Sequence, residues 1–399
     1  MAVASEVRET VERTRVVVIG AGQAGLSVAY YLRRLGLSPG SDFVVLDRGP
    51  STGGAWQFRW RALRLGTAHR VNDLPGMADL GLSFETADRT APARDVVSDY
   101  YDRYERFYDL RVRRPSDVRG VEEGQDHGLT VRYLDGGGAP RFLDTEIVVN
   151  ATGTWGSPFR PWYPGRDSFA GRQVTTAEYT DASEFEGQDV VVVGGGTSAI
   201  GFLLELERVG ARTTWATRRP VDWFDQQELG IEMGAAAVAE QDEAARAGLA
   251  LPSIVSGTGV PLTRRNRAGI DRGVLVDRPM FASIEPEGVR FADGSFQHAD
   301  AIIWATGFRP ELRHLAPLGL RSREGGVVVS RGASQADPRL YFAGYGPQAS
   351  TIGANRAGRV IARQVLLALS TSPGRAAAAA TAPRGGSGTA PRRDAAADA

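Results

Sequence analysis

The chain has 399 residues, 47 basic and 47 acidic, and a formal charge of zero. That balance excludes the basic footprint of a nucleic-acid binder and offers no polybasic segment to a membrane surface. Cys and Lys are both absent, which removes disulfides, thiolate metal sites, Cys nucleophiles, a P-loop lysine and Schiff-base chemistry.

The histidines His69, His127, His298 and His314 lack ligand spacing, so no metal is expected. The apolar runs are too short to span a membrane, and Met1 to Thr14 has no apolar stretch of signal-peptide type. A cytoplasmic protein with no membrane or nucleic-acid partner is expected, and its chemistry is left to a bound organic cofactor.

In chain order, the first signal is the β-branched run Arg15 to Ile19, the turn Gly20-Ala-Gly22-Gln23-Ala24-Gly25, and an amphipathic helix over Leu26 to Leu35. The next strand, Phe43 to Leu46, ends at Asp47, which lies 22 residues beyond Gly25. Strand, glycine turn, helix and distant acid together form a dinucleotide-binding fingerprint. The glycines bring backbone N–H groups and a helix N-terminus to a pyrophosphate, and Asp47 can accept from ribose hydroxyls.

Asp95 to Leu110 reads as a helix with an aromatic stripe, mostly packing. Leu129 to Leu134 and Arg141 to Val149 read as a hairpin around Asp135-Gly-Gly-Gly. A second fingerprint follows: the strand Asp189 to Val193, the turn Gly194-Gly-Gly196-Thr197-Ser198-Ala199, a helix over Ile200 to Val209, and a strand over Thr213 to Ala216. Here the second strand ends in Thr217-Arg218-Arg219, a pair of cations that favours the 2′-phosphate of NADP(H) over NAD(H).

The segments Ile147 to Gly153 and Ala301 to Gly307 each run from a buried strand into Ala-Thr-Gly, which suggests duplicated architecture. Gln227 to Arg267 reads as a helical insertion, with Asp225, Gln226 and Gln227 candidates for reaching the nicotinamide cleft. Ala349 to Leu369 reads as a helix starting near Ser350 or Thr351. The stretch beyond Thr371 has almost no large apolar residue and is expected to be disordered.

Taken together, these motifs resemble the flavin-containing monooxygenases and related two-dinucleotide-binding flavoproteins. The resemblance covers about Val16 to Leu369. It rests on both glycine fingerprints, Gly53-Gly54-Ala55-Trp56, Trp60-Arg-Ala-Leu-Arg-Leu65, Ala151-Thr152-Gly153, Phe169-Ala-Gly171 and Ala305-Thr306-Gly307-Phe308-Arg-Pro310. It implies an α/β fold of two Rossmann-like dinucleotide-binding domains, the NADP domain inserted into the FAD domain. The implied divisions are an extension at 1–13, an FAD-binding domain at 14–160 and 300–370, an NADP-binding domain at 161–299, and a tail at 371–399.

The resemblance implies FAD on Gly20, Gly22, Gln23, Ala24, Gly25, Asp47, Arg48, Gly54, Trp56, Leu65, Thr152 and Gly153, with Thr306, Gly307 and Thr351 also near the cofactors. It implies NADP on Gly194, Gly196, Thr197, Ser198, Ala199, Arg218 and Arg219. The implied activity is that of an NADPH-consuming monooxygenase. In it a C4a-peroxyflavin made with O2 oxygenates a small-molecule substrate at nitrogen, at sulfur, or beside a ketone carbonyl (Baeyer-Villiger).

Two family positions differ. A His ahead of the second fingerprint is Thr175, and an Asn that supports oxygen chemistry falls at Gly66. Asn72 is the candidate catalytic replacement, with His69 a second. Gly344-Tyr345 stands where a Gly-Asp pair contacts the flavin chain. The alternatives are an NADPH-dependent flavin reductase serving a protein partner and a non-catalytic NADPH-sensing flavoprotein. A homodimer is left open.

Overall fold

The computed structural model describes residues 11–68, 71–224, 231–252, 259–349 and 351–371. His69, Ser350, Asp225, Gln226, Gln227 and the tail beyond Thr371 lie outside the described residues. Two sheets organise the chain.

The first sheet is eight-stranded. Its spine runs Val329–Ser330, Ala333–Ser334, Leu340–Phe342, Pro140–Asn150, Glu12–Ile19 and Phe43–Leu46. Glu12–Ile19 is parallel to both Phe43–Leu46 and Pro140–Asn150. Val16, Val17 and Val18 are all fully buried, so this strand is covered on both faces. On one face the helix Gln23–Arg34 packs against Thr351–Thr371, where Gly358 makes room for Ser27. On the other face Val17, Ile19, Val44 and Leu46 join Val121, Leu129, Leu315 and Tyr345. The expected hairpin is present: Leu129–Leu134 pairs antiparallel with the first half of Pro140–Asn150, and Asp135 accepts from the backbone N–H groups of Gly137 and Ala139.

The second sheet is parallel throughout, ordered Asp277–Pro279, Arg212–Thr217, Asp189–Val193, Ala301–Trp304, Arg172–Thr175. The helix Thr197–Leu206 covers one face through Ile200, Phe202 and Leu203. A three-stranded antiparallel sheet, Phe281–Glu285, Gly288–Phe291 and Phe296–His298, covers the other. Two sequence boundaries move. Ala301–Trp304 is an inner strand of the second sheet, so residues 300–304 belong with it and not with the first unit. The first strand begins at Glu12, inside the stretch expected to be an extension.

The helix Ile231–Ala247 lies within the expected insertion. It packs on the first unit rather than the second: Ala245 joins the cluster around Val327, Val329 and Tyr345.

Candidate functional site

The two units share one local construction. The strand Glu12–Ile19 ends at Gly20, whose N–H donates to Leu46 O at 2.7 Å, while Ala151 N–H donates back to Ile19 O at 2.8 Å. In the second unit Gly194 N–H donates to Ala216 O at 3.0 Å and Ala305 N–H to Val193 O at 2.8 Å. Gly20 and Gly194 have φ of +103° and +130°, a region that favours glycine. A Cβ on Gly20 would stand 2.5 Å from Ala151 O, and one on Gly194 2.3 Å from Ala305 O. Each turn thus sits on the alanine of its own Ala-Thr-Gly segment. The internal likeness read from the sequence is a likeness of structure.

The first loop is closely packed except at one point. A Cβ on Gly25 would lie 1.8 Å from Gly20 O, and one on Gly54 2.6 Å from Gly22 Cα. Gly22 itself has φ −86°, and its Cβ would meet nothing nearer than Gly54 Cα at 3.8 Å. No side chain caps the helix Gln23–Arg34, so its first N–H groups and positive dipole end are left for a ligand. In the second loop Ala199 fills the third glycine position and is fully buried, and the helix Thr197–Leu206 also lacks a side-chain cap at Gly196.

A cleft of ≈530 Å³ runs along the first loop, lined by Gly20, Gly22, Gln23 and Ala24, by Asp47 and Arg48, by Gly54 and Trp56, and by Thr152 and Gly153. Ser116 to Arg119, Arg313, His314, Gly344, Gln348 and Ala354 line it as well. Thr351 opens the helix that carries Ala354. The glycine-rich lining and the uncapped helix N-terminus fit a dinucleotide.

Asp47 is buried and already holds the loop together. One oxygen accepts from Ala21 N–H at 3.2 Å and from Arg114 at 3.3 Å, and the other from Gly49 N–H at 2.8 Å. Arg114 also forks onto Glu105 at 2.6 and 2.7 Å, and burial still holds the Glu105 carboxyl above its ordinary range. Gln23 spends its amide on the fold: Nε2 donates to Asn72 O at 3.0 Å and Asn355 Oδ1 at 2.9 Å, and Oε1 accepts from Tyr101. The guanidinium of Arg48 lies against Gly156, where a Cβ would stand 2.1 Å from its Nη2.

Other predicted residues fall further out. Leu65 is a core residue, not part of the cleft wall. The carbonyl of Asn72 is fixed by Gln23, and Asn72 is not among the residues lining the cleft. Gly66 faces the Arg89 carbonyl, and Thr175 is tied to Glu178 through its N–H at 2.7 Å and its hydroxyl at 2.9 Å. Tyr345 turns into the core, where its oxygen accepts from Val327 N–H at 3.0 Å.

Thr306 and Gly307 zip the second crossover to the first: Thr306 donates to Phe159 O, and Phe159 N–H donates to Gly307 O at 2.9 Å. Trp155 stacks on Phe308 across the same seam, with ring centroids 4.9 Å apart. Thr152 adds a hydroxyl bond to Glu311 O at 2.7 Å. Arg218 and Arg219 are exposed directly after the strand Arg212–Thr217.

Sequence reading missed several groups. His314, 5% exposed, is bonded through Nε2 to Asn150 Oδ1 at 2.8 Å, and burial pushes its pKa down to about 4. Trp60 reaches from the first unit into the second, where Nε1 donates to Glu205 at 2.9 Å beside the Tyr179 hydroxyl at 3.2 Å. Burial holds the Glu205 carboxyl above its ordinary range. Arg59 lines the cleft between two indoles. Only Trp60 carried a signal, as an aromatic in a quoted motif. Among the described residues no helix is long and apolar enough to cross a membrane.

The family model for pyridine nucleotide-disulphide oxidoreductases matches residues 17–236. A rice indole-3-pyruvate monooxygenase, YUCCA1, is 30% identical over 73% of this chain and 76% of its own length. An uncharacterized oxidoreductase of Bacillus subtilis, CzcO, is 26% identical over 82% of this chain and 90% of its own. The structure of a flavin-containing monooxygenase from Stenotrophomonas maltophilia superposes with a TM-score of 0.71 at 33% identity, covering 90% of this chain and 99% of that one.

Proposed function

From the premise that this chain belongs to the pyridine nucleotide-disulphide oxidoreductase family, in its flavin-containing monooxygenase branch, we propose that it uses NADPH and O2 to oxygenate a small organic substrate at nitrogen, at sulfur or beside a ketone carbonyl. FAD and NADPH are the cofactors of that branch. With no Cys in the chain, the dithiol relay of the family's disulphide reductases has no counterpart here.

The observation that carries this reading is Gly22: neither its backbone angles nor its neighbours demand glycine, but a pyrophosphate on the uncapped helix does. In this reading Gly20, Gly22 and Gly25 hold the FAD phosphates, and Asp47 positions the loop while facing the ribose. Arg218 and Arg219 hold the NADPH 2′-phosphate. The zipped crossovers and the Trp60–Glu205 bond set the angle between the units. Bound flavin supplies hydride acceptance and oxygen activation, while the protein orients the partners and keeps water out. Asn72 is the proposed support for oxygen chemistry, although it lies outside the cleft lining and is tied to it through the bond of its carbonyl to Gln23.

The test is anaerobic reduction of the holoenzyme by NADPH followed by O2, with peroxide release compared with NADPH consumed. Full conversion of NADPH equivalents to peroxide with every amine, thioether and ketone tried would turn the reading to a flavin reductase. That alternative draws on Gly66, which offers no side chain and faces Arg89.

A further inference from the structure

Among the described residues the buried carboxylates have partners. Glu105 has Arg114 at 2.6 Å, Asp337 has Arg339 at 2.7 Å, and Glu205 has Trp60 and Tyr179. The Arg59 guanidinium has no carboxylate and no hydrogen-bond acceptor among the described residues. Its Nε is shut off from solvent and donates to nothing. Its guanidinium carbon lies 4.2 Å from the Trp155 ring centroid and 5.5 Å from that of Trp56. Burial lowers its pKa to about 10, so it stays a cation at neutral pH.

Arg48 and Arg313, also on the cleft wall, are exposed and solvated, and need no partner. Arg59 is half-buried, but its Nε is sealed from solvent without an acceptor, and indole faces replace only part of the hydration it has lost. The position is specific as well. Trp56 follows the Gly53-Gly54 turn that lies on the first loop, Trp155 follows Gly153 at the crossover, and the next residue, Trp60, enters the second unit. Arg59 therefore stands where the cleft meets the junction of the two units, between rigid planes that fix its fork.

We propose that Arg59 is an oxyanion receptor in the cleft wall, holding a phosphate of the bound dinucleotide or the carboxylate of an organic substrate. The inference rests on reading this cleft as the FAD site. Both sources present a pair of anionic oxygens that a guanidinium fork matches, and two titrations separate them. Apo-protein is titrated with FAD, and FAD-loaded protein is titrated with benzoate, both by calorimetry, for wild type, Arg59→Gln and Arg59→Lys. Far-ultraviolet dichroism checks that each variant is folded.

The expected result is a loss of about tenfold or more in one titration for Arg59→Gln, the size of one charge-assisted hydrogen bond. A loss in the FAD titration assigns the phosphate. A loss confined to benzoate assigns the carboxylate. Should Arg59→Gln not fold, Arg59→Lys decides at about threefold or more, since it keeps the charge but not the planar fork. Unchanged affinity in both titrations overturns the inference while leaving the FAD site standing. Wild-type protein that takes up no FAD overturns the site and the inference together.

Discussion

Replacing Gly22 by alanine separates what the fold needs from what the ligand needs. The backbone at φ −86°, ψ −166° suits any residue, and the new methyl comes no nearer than 3.8 Å to the protein beyond its chain neighbours. Narrowing the unfolded chain gains about 0.4–1 kcal/mol, and alanine at a helix start loses about as much, so the apoprotein should melt within a degree or two of wild type. The ligand side is different, because the methyl occupies the space above the free N–H groups of Gln23–Arg34. Losing one phosphate hydrogen bond costs about 1.5–3 kcal/mol, or about 10- to 150-fold in Kd for FAD. Calorimetric titration of apoprotein with FAD, beside a thermal melt, reads both quantities. Gly25→Ala is the contrast: its Cβ would stand 1.8 Å from Gly20 O, so it should fail to fold. Wild-type FAD affinity in folded Gly22→Ala protein would refute the reasoning.

Replacing Arg218 and Arg219 together by alanine should raise the KM for NADPH at least tenfold more than that for NADH, at about 1.5–3 kcal/mol per lost phosphate bond; steady-state kinetics with an unchanged ratio would place the 2′-phosphate elsewhere. His314 is held neutral, with a pKa of about 4 against an ordinary 6.5. The unfolded chain therefore binds a proton that the native chain refuses, and stability should fall as pH drops from 6.5 towards 4, by about 3 kcal/mol over the full span. Denaturant titrations of His314→Gln should show a flatter profile across that window, and an identical slope would remove His314 as the cause. Asn72→Ala should leave NADPH reduction of the flavin intact and raise the ratio of peroxide to NADPH; a low ratio that stays low makes Asn72 a loop residue.

The elements that announced themselves were those whose physics is local. Val16 to Val18 and Val190 to Val193 could only be inner strands, and the glycines after them had to turn the chain. Tyr101 and Tyr104 pack the core as a helix stripe should. What stayed hidden was long-range. Nothing in Ala301–Trp304 says which of two sheets it joins, because both would bury it equally. Glu205 looks like a surface residue of a helix until Trp60 arrives from far up the chain. Arg59 sits in a run of arginines and differs from them only by the two indoles the fold brings to it. The motif around Leu65 groups it with the cofactor residues, whereas its side chain turns to the core.

The Trp60–Glu205 bond bears on how such chains can be recombined. The second unit has the look of a cassette, entered and left through the zipped crossovers, and grafting it onto another flavoprotein would be a natural way to change nicotinamide preference. Yet Glu205 travels with the cassette while its indole partner stays behind. In the hybrid, a carboxyl enclosed among Trp60's former neighbours Tyr179 and Phe202 would lose its shorter hydrogen bond, a cost of about 1–3 kcal/mol. Transplants should therefore tolerate the join only where the host loop carries an N–H donor at this point, or where Glu205 is exchanged for an apolar residue in the same step.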